Sequence, residues 1–121
     1  MRDALQVHGA LSRGAFAVVV LVSLAVLFAP ASDVPSAPPG VDKLVHAGLF
    51  AALAVTGRWA GIGVGTLAAL LLGYAVVSEL IQGFTPVARS ASPADVLADA
   101  VGTVLGLLVW RLLARPTPPP P

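Results

Sequence analysis

Apolar segments close to the length of a bilayer-crossing helix recur along this chain, and no other feature narrows its possible folds so far. At 57% hydrophobic and 11% charged residues, the chain has too few polar side chains to coat a globule. It reads as an all-α, polytopic membrane protein, a single membrane domain over residues 1–121. Four transmembrane helices are expected, at about 14–31, 42–57, 61–82 and 93–113, followed by a solvated proline-rich tail at 114–121.

The first span follows Arg2, Asp3, His8 and Arg13, and Arg13 can snorkel to the interface. Its rival reading is a secretory signal peptide, since the basic start, apolar middle and Ala29-Pro30-Ala31 resemble a cleavage site. The apolar run is long for a signal core, which favours the span. Pro35, Pro38, Pro39 and Gly40 mark an extramembrane loop. Asp42 then reads as the N-cap of the second span. Gly57-Arg58-Trp59-Ala60 reads as a very short turn, making the second and third spans antiparallel neighbours. Within the third span, Gly65, Ala69 and Gly73 form a small-residue stripe suited to close helix packing. Gly61-Ile62-Gly63-Val64-Gly65 is not a nucleotide-binding loop, because no soluble strand precedes it and no ribose-binding acid follows.

Charge supplies the orientation. In a four-span arrangement Arg2, Arg13, Arg58, Arg111 and Arg115 fall on one side, against Lys43 and Arg89 on the other, so both termini are expected in the cytoplasm. Trp59 and Trp110 fall near that same interface, where aromatic belts sit. The net charge of +1 argues against a nucleic-acid partner, and the absence of cysteine excludes disulfides, thiolate metal sites and cysteine nucleophiles.

With that orientation Asp42, Lys43, His46, Ser78, Glu79, Gln82, Arg89, Asp95 and Asp99 all gather at the extracytoplasmic ends of the second, third and fourth spans. Several have plain structural readings. Ser92-Pro93-Ala94-Asp95 has the form of a capping box with proline at the first helical position, and Lys43 suits an interfacial snorkeller. His8 reads as solvated and Tyr74 as buried against a neighbouring helix. Asp99 lies four residues past Asp95, about 6 Å deeper, where a cap no longer reaches. Glu79 sits in the last turn of its helix, at the negative end of the dipole. An intramembrane carboxylate needs a partner or a proton and is by default a functional-site candidate. Asp95, Asp99, Gly102 and Gly106 share one helix face, and the two glycines let that face approach another helix closely.

Four acids (Asp42, Glu79, Asp95, Asp99) against Lys43 and Arg89 leave an excess of two. Protonated carboxylates, a charged His46, or a cation or cationic ligand would each balance it. A metal site from His46, Glu79, Asp95 and Asp99 is chemically feasible, but no metal-spacing motif is present, so neither metal nor cofactor is assigned.

Asp42-Lys43 with His46, Ser78-Glu79 with Gln82, Arg89, Asp95 and the Gly102/Gly106 pair resemble the signature of the VanZ-like family of small membrane proteins, over about Val41 to Leu107. The resemblance implies a four-helix membrane fold with the motif residues at one membrane face. It also implies a link to glycopeptide antibiotics, since the namesake is associated with low-level teicoplanin resistance, and it brings no established reaction chemistry. The family commonly has an asparagine where this chain has Asp99, a departure that adds a titratable group here.

The leading expectation is a bacterial inner-membrane module whose outer polar cluster binds a cell-envelope ligand, a lipid head group or a glycopeptide-like molecule. Lys43 and Arg89 would hold anionic groups, and Glu79 and Gln82 would orient polar ones. One alternative is an interfacial enzyme on a lipid-linked substrate, with Glu79 or Asp99 as acid or base and His46 assisting. The other is a non-catalytic assembly subunit. Membrane lipid is the expected surrounding in every case, and a homo-oligomer is compatible with each.

Overall fold

The structure, a computed structural model, describes residues 9–28, 40–84 and 93–114. These form four helices: α1 (Ala10–Leu27), α2 (Val41–Trp59), α3 (Val64–Phe84) and α4 (Pro93–Leu113). The all-α reading therefore holds. α1, α3 and α4 are long and apolar enough to cross a membrane; α2 is not. The expectation of four such helices is corrected here for a compositional reason: Asp42, Lys43, His46 and Arg58 all lie within the 19 residues of α2.

Helix boundaries move by a few residues where the polar signals were misread. α1 begins at Ala10 rather than 14, because Gly9 is the N-cap and Ser12 and Arg13 fold into the first turns. Asp42 is not the N-cap of α2. That position belongs to Gly40, whose φ of 90° suits a residue without a side chain, and Asp42 lies in the first turn. Residues 57–60 are not the turn. α2 continues through Trp59, and the reversal follows at 60–63, where Gly61 takes φ 101°. The expected α4 boundaries, 93 and 113, are those observed. The cleavage-site reading at residues 29–31, the loop at 31–39, His8, Ser92 and the proline-rich tail lie outside the described residues.

The helices alternate in direction. Gln82 near the end of α3 donates to the Leu27 carbonyl at the end of α1, capping a terminal carbonyl that helix geometry leaves unpaired. At the other end of the bundle, Leu67 of α3 and Phe16 of α1 flank Gly57 of α2. α2 and α4 run parallel and form the most extensive helix pair. The reason is steric: a Cβ on Gly102 would run into the Ala47 carbonyl and lie 2.8 Å from Ala47 Cα, and one on Gly106 would lie 2.7 Å from Ala54 Cβ. Two bare positions one turn apart thus let the backbones of α2 and α4 touch. The expected antiparallel α2–α3 pairing exists, but α4 is the main partner of α2.

The core lies between the helices and consists of Leu27, Phe50, Leu53, Ala54, Leu67, Leu71 and Ala75. Tyr74 is half-buried, with its ring 5.5 Å from that of Phe50 and its hydroxyl 3.0 Å from Ser23 Oγ. α3 turns Leu67, Leu71, Ala75, Ser78, Glu79 and Gln82 inward. The Gly65-Ala69-Gly73 stripe consequently faces outward, with nothing within 4 Å of a Cβ at Gly65 or Gly73. That corrects its expected role in packing within this chain: spacing defined a face but not which face the acids and Leu67 would claim. Leu21, Leu97 and Leu112 are each about two-thirds exposed, at 66%, 65% and 67%. A surface this apolar matches lipid rather than water.

Candidate functional site

The parallel α2–α4 contact sets the register of the charged residues. One turn before the Ala47–Gly102 contact, His46 of α2 meets Asp99 of α4, with Nδ1 2.7 Å from Oδ1. A further turn toward the helix starts, Lys43 Nζ lies 2.6 Å from Asp95 Oδ1. The same ammonium lies 2.6 Å from Asp42 Oδ2, so Lys43 bridges the two aspartates instead of snorkelling. The other oxygen of Asp95, Oδ2, stands 3.8 Å from His46 Nε2. Asp95 is therefore more than a helix cap.

α3 enters from the opposite direction and brings its C-terminal end to this place. Glu79 presents a ligand atom that, with one each from His46 and Asp95, forms a group lying within 4.8 Å of one another. The site is buried, with His46 2%, Glu79 5%, Asp95 8% and Asp99 0% exposed. Among the described residues, Lys43 and Asp42 form its exposed rim.

Asp42, Lys43, His46, Glu79, Asp95 and Asp99 thus converge from three helices, as their placement at the helix ends predicts. Ser78 and Gln82 are buried alongside but occupied with structure: Ser78 donates to the Ala75 carbonyl and Gln82 to that of Leu27. Arg89, expected among these residues as a holder of anionic groups, lies outside the described residues. Sequence spacing missed the pairings themselves. Positions 43 with 95 and 46 with 99 meet because α2 and α4 are parallel neighbours, and only the two glycines of α4 hinted at that.

Asp99 carries the sharpest imbalance. One oxygen receives His46, while Oδ2 is buried with no hydrogen-bond donor among the described residues. A buried carboxylate with half its acceptors unused marks a place where positive charge would be stabilising. The His46–Asp99 contact also fixes the ring: with Nδ1 turned to the carboxylate, Nε2 is the nitrogen that faces Asp95.

At the far end of the bundle a groove of ≈ 680 Å³ is lined by Arg58, Val64, Leu107, Leu108, Trp110, Arg111 and Ala114. It contains none of the acids. Arg58 there donates to the Ile62 carbonyl at 2.8 Å, closing the α2–α3 turn. The arginines and Trp110 thus share one end and the acids the other, which is the polarity that the basic-residue count relies on.

Comparison with protein-family models, with curated proteins and with solved structures finds no match for this chain.

Proposed function

We propose that this chain is a VanZ-like inner-membrane protein whose extracytoplasmic cluster of His46, Glu79, Asp95 and Asp99, rimmed by Lys43, binds a cell-envelope ligand. The observation that carries the reading is the placement of three carboxylates and an imidazole, each over nine-tenths buried, between three helix ends. Held in a low-dielectric setting without a ligand role, such groups cost several kcal/mol each. Apolar side chains would join the helices as well. The orientation with both termini in the cytoplasm places the cluster on the outer face, where lipid head groups and glycopeptide-like molecules are met. Lys43 at the rim, 2.6 Å from Asp95 Oδ1 and partly exposed, would receive an anionic group of such a ligand.

The test is native mass spectrometry of the purified protein for co-purifying envelope lipid, alongside teicoplanin sensitivity of cells expressing it. Glu79→Gln and Asp99→Asn variants at normal expression should lose both the bound lipid and the change in sensitivity. Wild-type-like behaviour in both assays would remove the reading.

The His46–Asp99 contact at 2.7 Å favours a second reading, an interfacial enzyme in which the carboxylate orients the imidazole as a general base. It requires turnover of a labelled envelope lipid by pure protein, abolished in His46→Gln. Absence of turnover across a panel of envelope lipids would dismiss it.

A further inference from the structure

The same three helix ends combine donor atoms that neither an ion-pair lock nor a head-group site requires. We propose that His46, Glu79 and Asp95 form a binding site for a first-row divalent transition-metal ion, with Asp99 as the residue that positions His46. The sequence shows no metal-spacing motif because each ligand comes from a different helix: His46 from α2, Glu79 from α3 and Asp95 from α4. Close approach of α2 and α4 at Gly102 and Gly106 assembles them.

Three independent features converge. The first is distance. One ligand atom from each residue lies within 4.8 Å of the other two, and His46 Nε2 is 3.8 Å from Asp95 Oδ2. Metal–ligand bonds of about 2.0–2.2 Å place tetrahedral ligand atoms about 3.3–3.6 Å apart. The contraction required is met by rotation of the three-torsion Glu79 side chain together with a shift of a few tenths of an ångström of Asp95 toward His46.

The second is orientation. Metal-bound histidines generally donate their other ring N–H to a carboxylate, which fixes tautomer and direction. Asp99 stands in that relation to His46, at 2.7 Å from Nδ1, and leaves Nε2 toward Asp95.

The third is charge. Asp95 and Asp99 are buried one turn apart, and Lys43, the ammonium that meets Asp95, is shared with Asp42. Asp99 Oδ2 has no donor among the described residues. A divalent cation bound beside these carboxylates would offset their negative charge.

The donor set selects the ion class. One imidazole with two carboxylates suits zinc, manganese or iron better than calcium or magnesium, which prefer all-oxygen shells. Three protein atoms leave at least one coordination position for water or an anionic oxygen, as in open rather than structural sites. The site needs no envelope ligand to be detected, so its failure and that of the function proposed above are separable.

The experiment uses the full chain purified in detergent, tag removed, with His8→Ala to eliminate the second of the two histidines. After chelator treatment, Co²⁺ titration should give visible d–d bands that saturate at one ion per chain and are displaced by Zn²⁺ but not by Mg²⁺. Cu²⁺ electron paramagnetic resonance should report superhyperfine coupling from a single imidazole nitrogen. Glu79→Gln and Asp95→Asn should abolish saturable binding, while Asp99→Asn should keep the one-to-one stoichiometry and weaken affinity about 10–100-fold. Absence of saturable Co²⁺ bands, or copper spectra without nitrogen coupling, would overturn the proposal on the parent protein alone. Unaltered binding in well-folded Glu79→Gln would overturn it equally.

Discussion

Replacing His46 with leucine would leave the fully buried Asp99 carboxylate without the one donor it meets among the described residues. Removing one partner of a buried pair typically costs about 3–5 kcal/mol, whereas replacing both with apolar groups of similar size is often neutral. His46→Leu is therefore expected to lower the unfolding free energy in detergent by about 3–5 kcal/mol, and the His46→Leu/Asp99→Leu double variant to recover most of that. Measured by reversible denaturation, no recovery in the double variant would mean the two residues do not act as a pair. Lys43 is a milder case. Its ammonium is partly exposed at the rim, and solvent screens its pairs with Asp42 and Asp95. Residue identities were legible in the sequence here, and their partners were not: nothing local to position 46 specifies position 99.

At the scale of the helix, the two glycine patterns separate cleanly. Gly102 and Gly106 sit against the α2 backbone, while Gly65 and Gly73 look outward. Gly102→Val is expected to force α2 and α4 apart and to destabilise the protein by about 1–3 kcal/mol through overpacking. Gly73→Ala should stabilise by up to about 1 kcal/mol, since alanine replaces glycine inside an exposed helix face with open space for its Cβ. A thermal-unfolding series in one detergent distinguishes them, and equal effects would contradict the observed helix faces. The chain spelled out how many helices it forms and where α4 begins and ends, because Pro93 and the apolar run through Leu113 bracket it. It was less explicit about α2, whose start is set by the backbone of Gly40 and whose end is postponed past Arg58 by the left-handed turn at Gly61. It was silent about which face α3 turns inward, since Leu67–Leu71–Ala75 and Gly65–Ala69–Gly73 have the same period and only tertiary packing chooses between them.

For the whole molecule, α1, α3 and α4 expose leucines and valines along their lengths and pack beside α2, the one helix not apolar enough to cross a membrane by composition. α2 places Lys43 and His46 of its polar start against Asp95 and Asp99 of α4, and Arg58 at its end donates to the Ile62 carbonyl of the following turn. This has a consequence for biogenesis. A segment of this composition gains too little from partitioning out of the insertion machinery alone, and the helix that shields its polar face, α4, is synthesised about fifty residues later. α2 should therefore wait at the edge of the translocon until α4 arrives and the two enter together. In a glycosylation-site reporter assay, α2 offered alone should fail to integrate, and it should integrate when followed by native α3 and α4. Asp99→Leu or Gly102→Val in the downstream segment should lower that yield. Full integration of isolated α2 would show that each helix enters by itself.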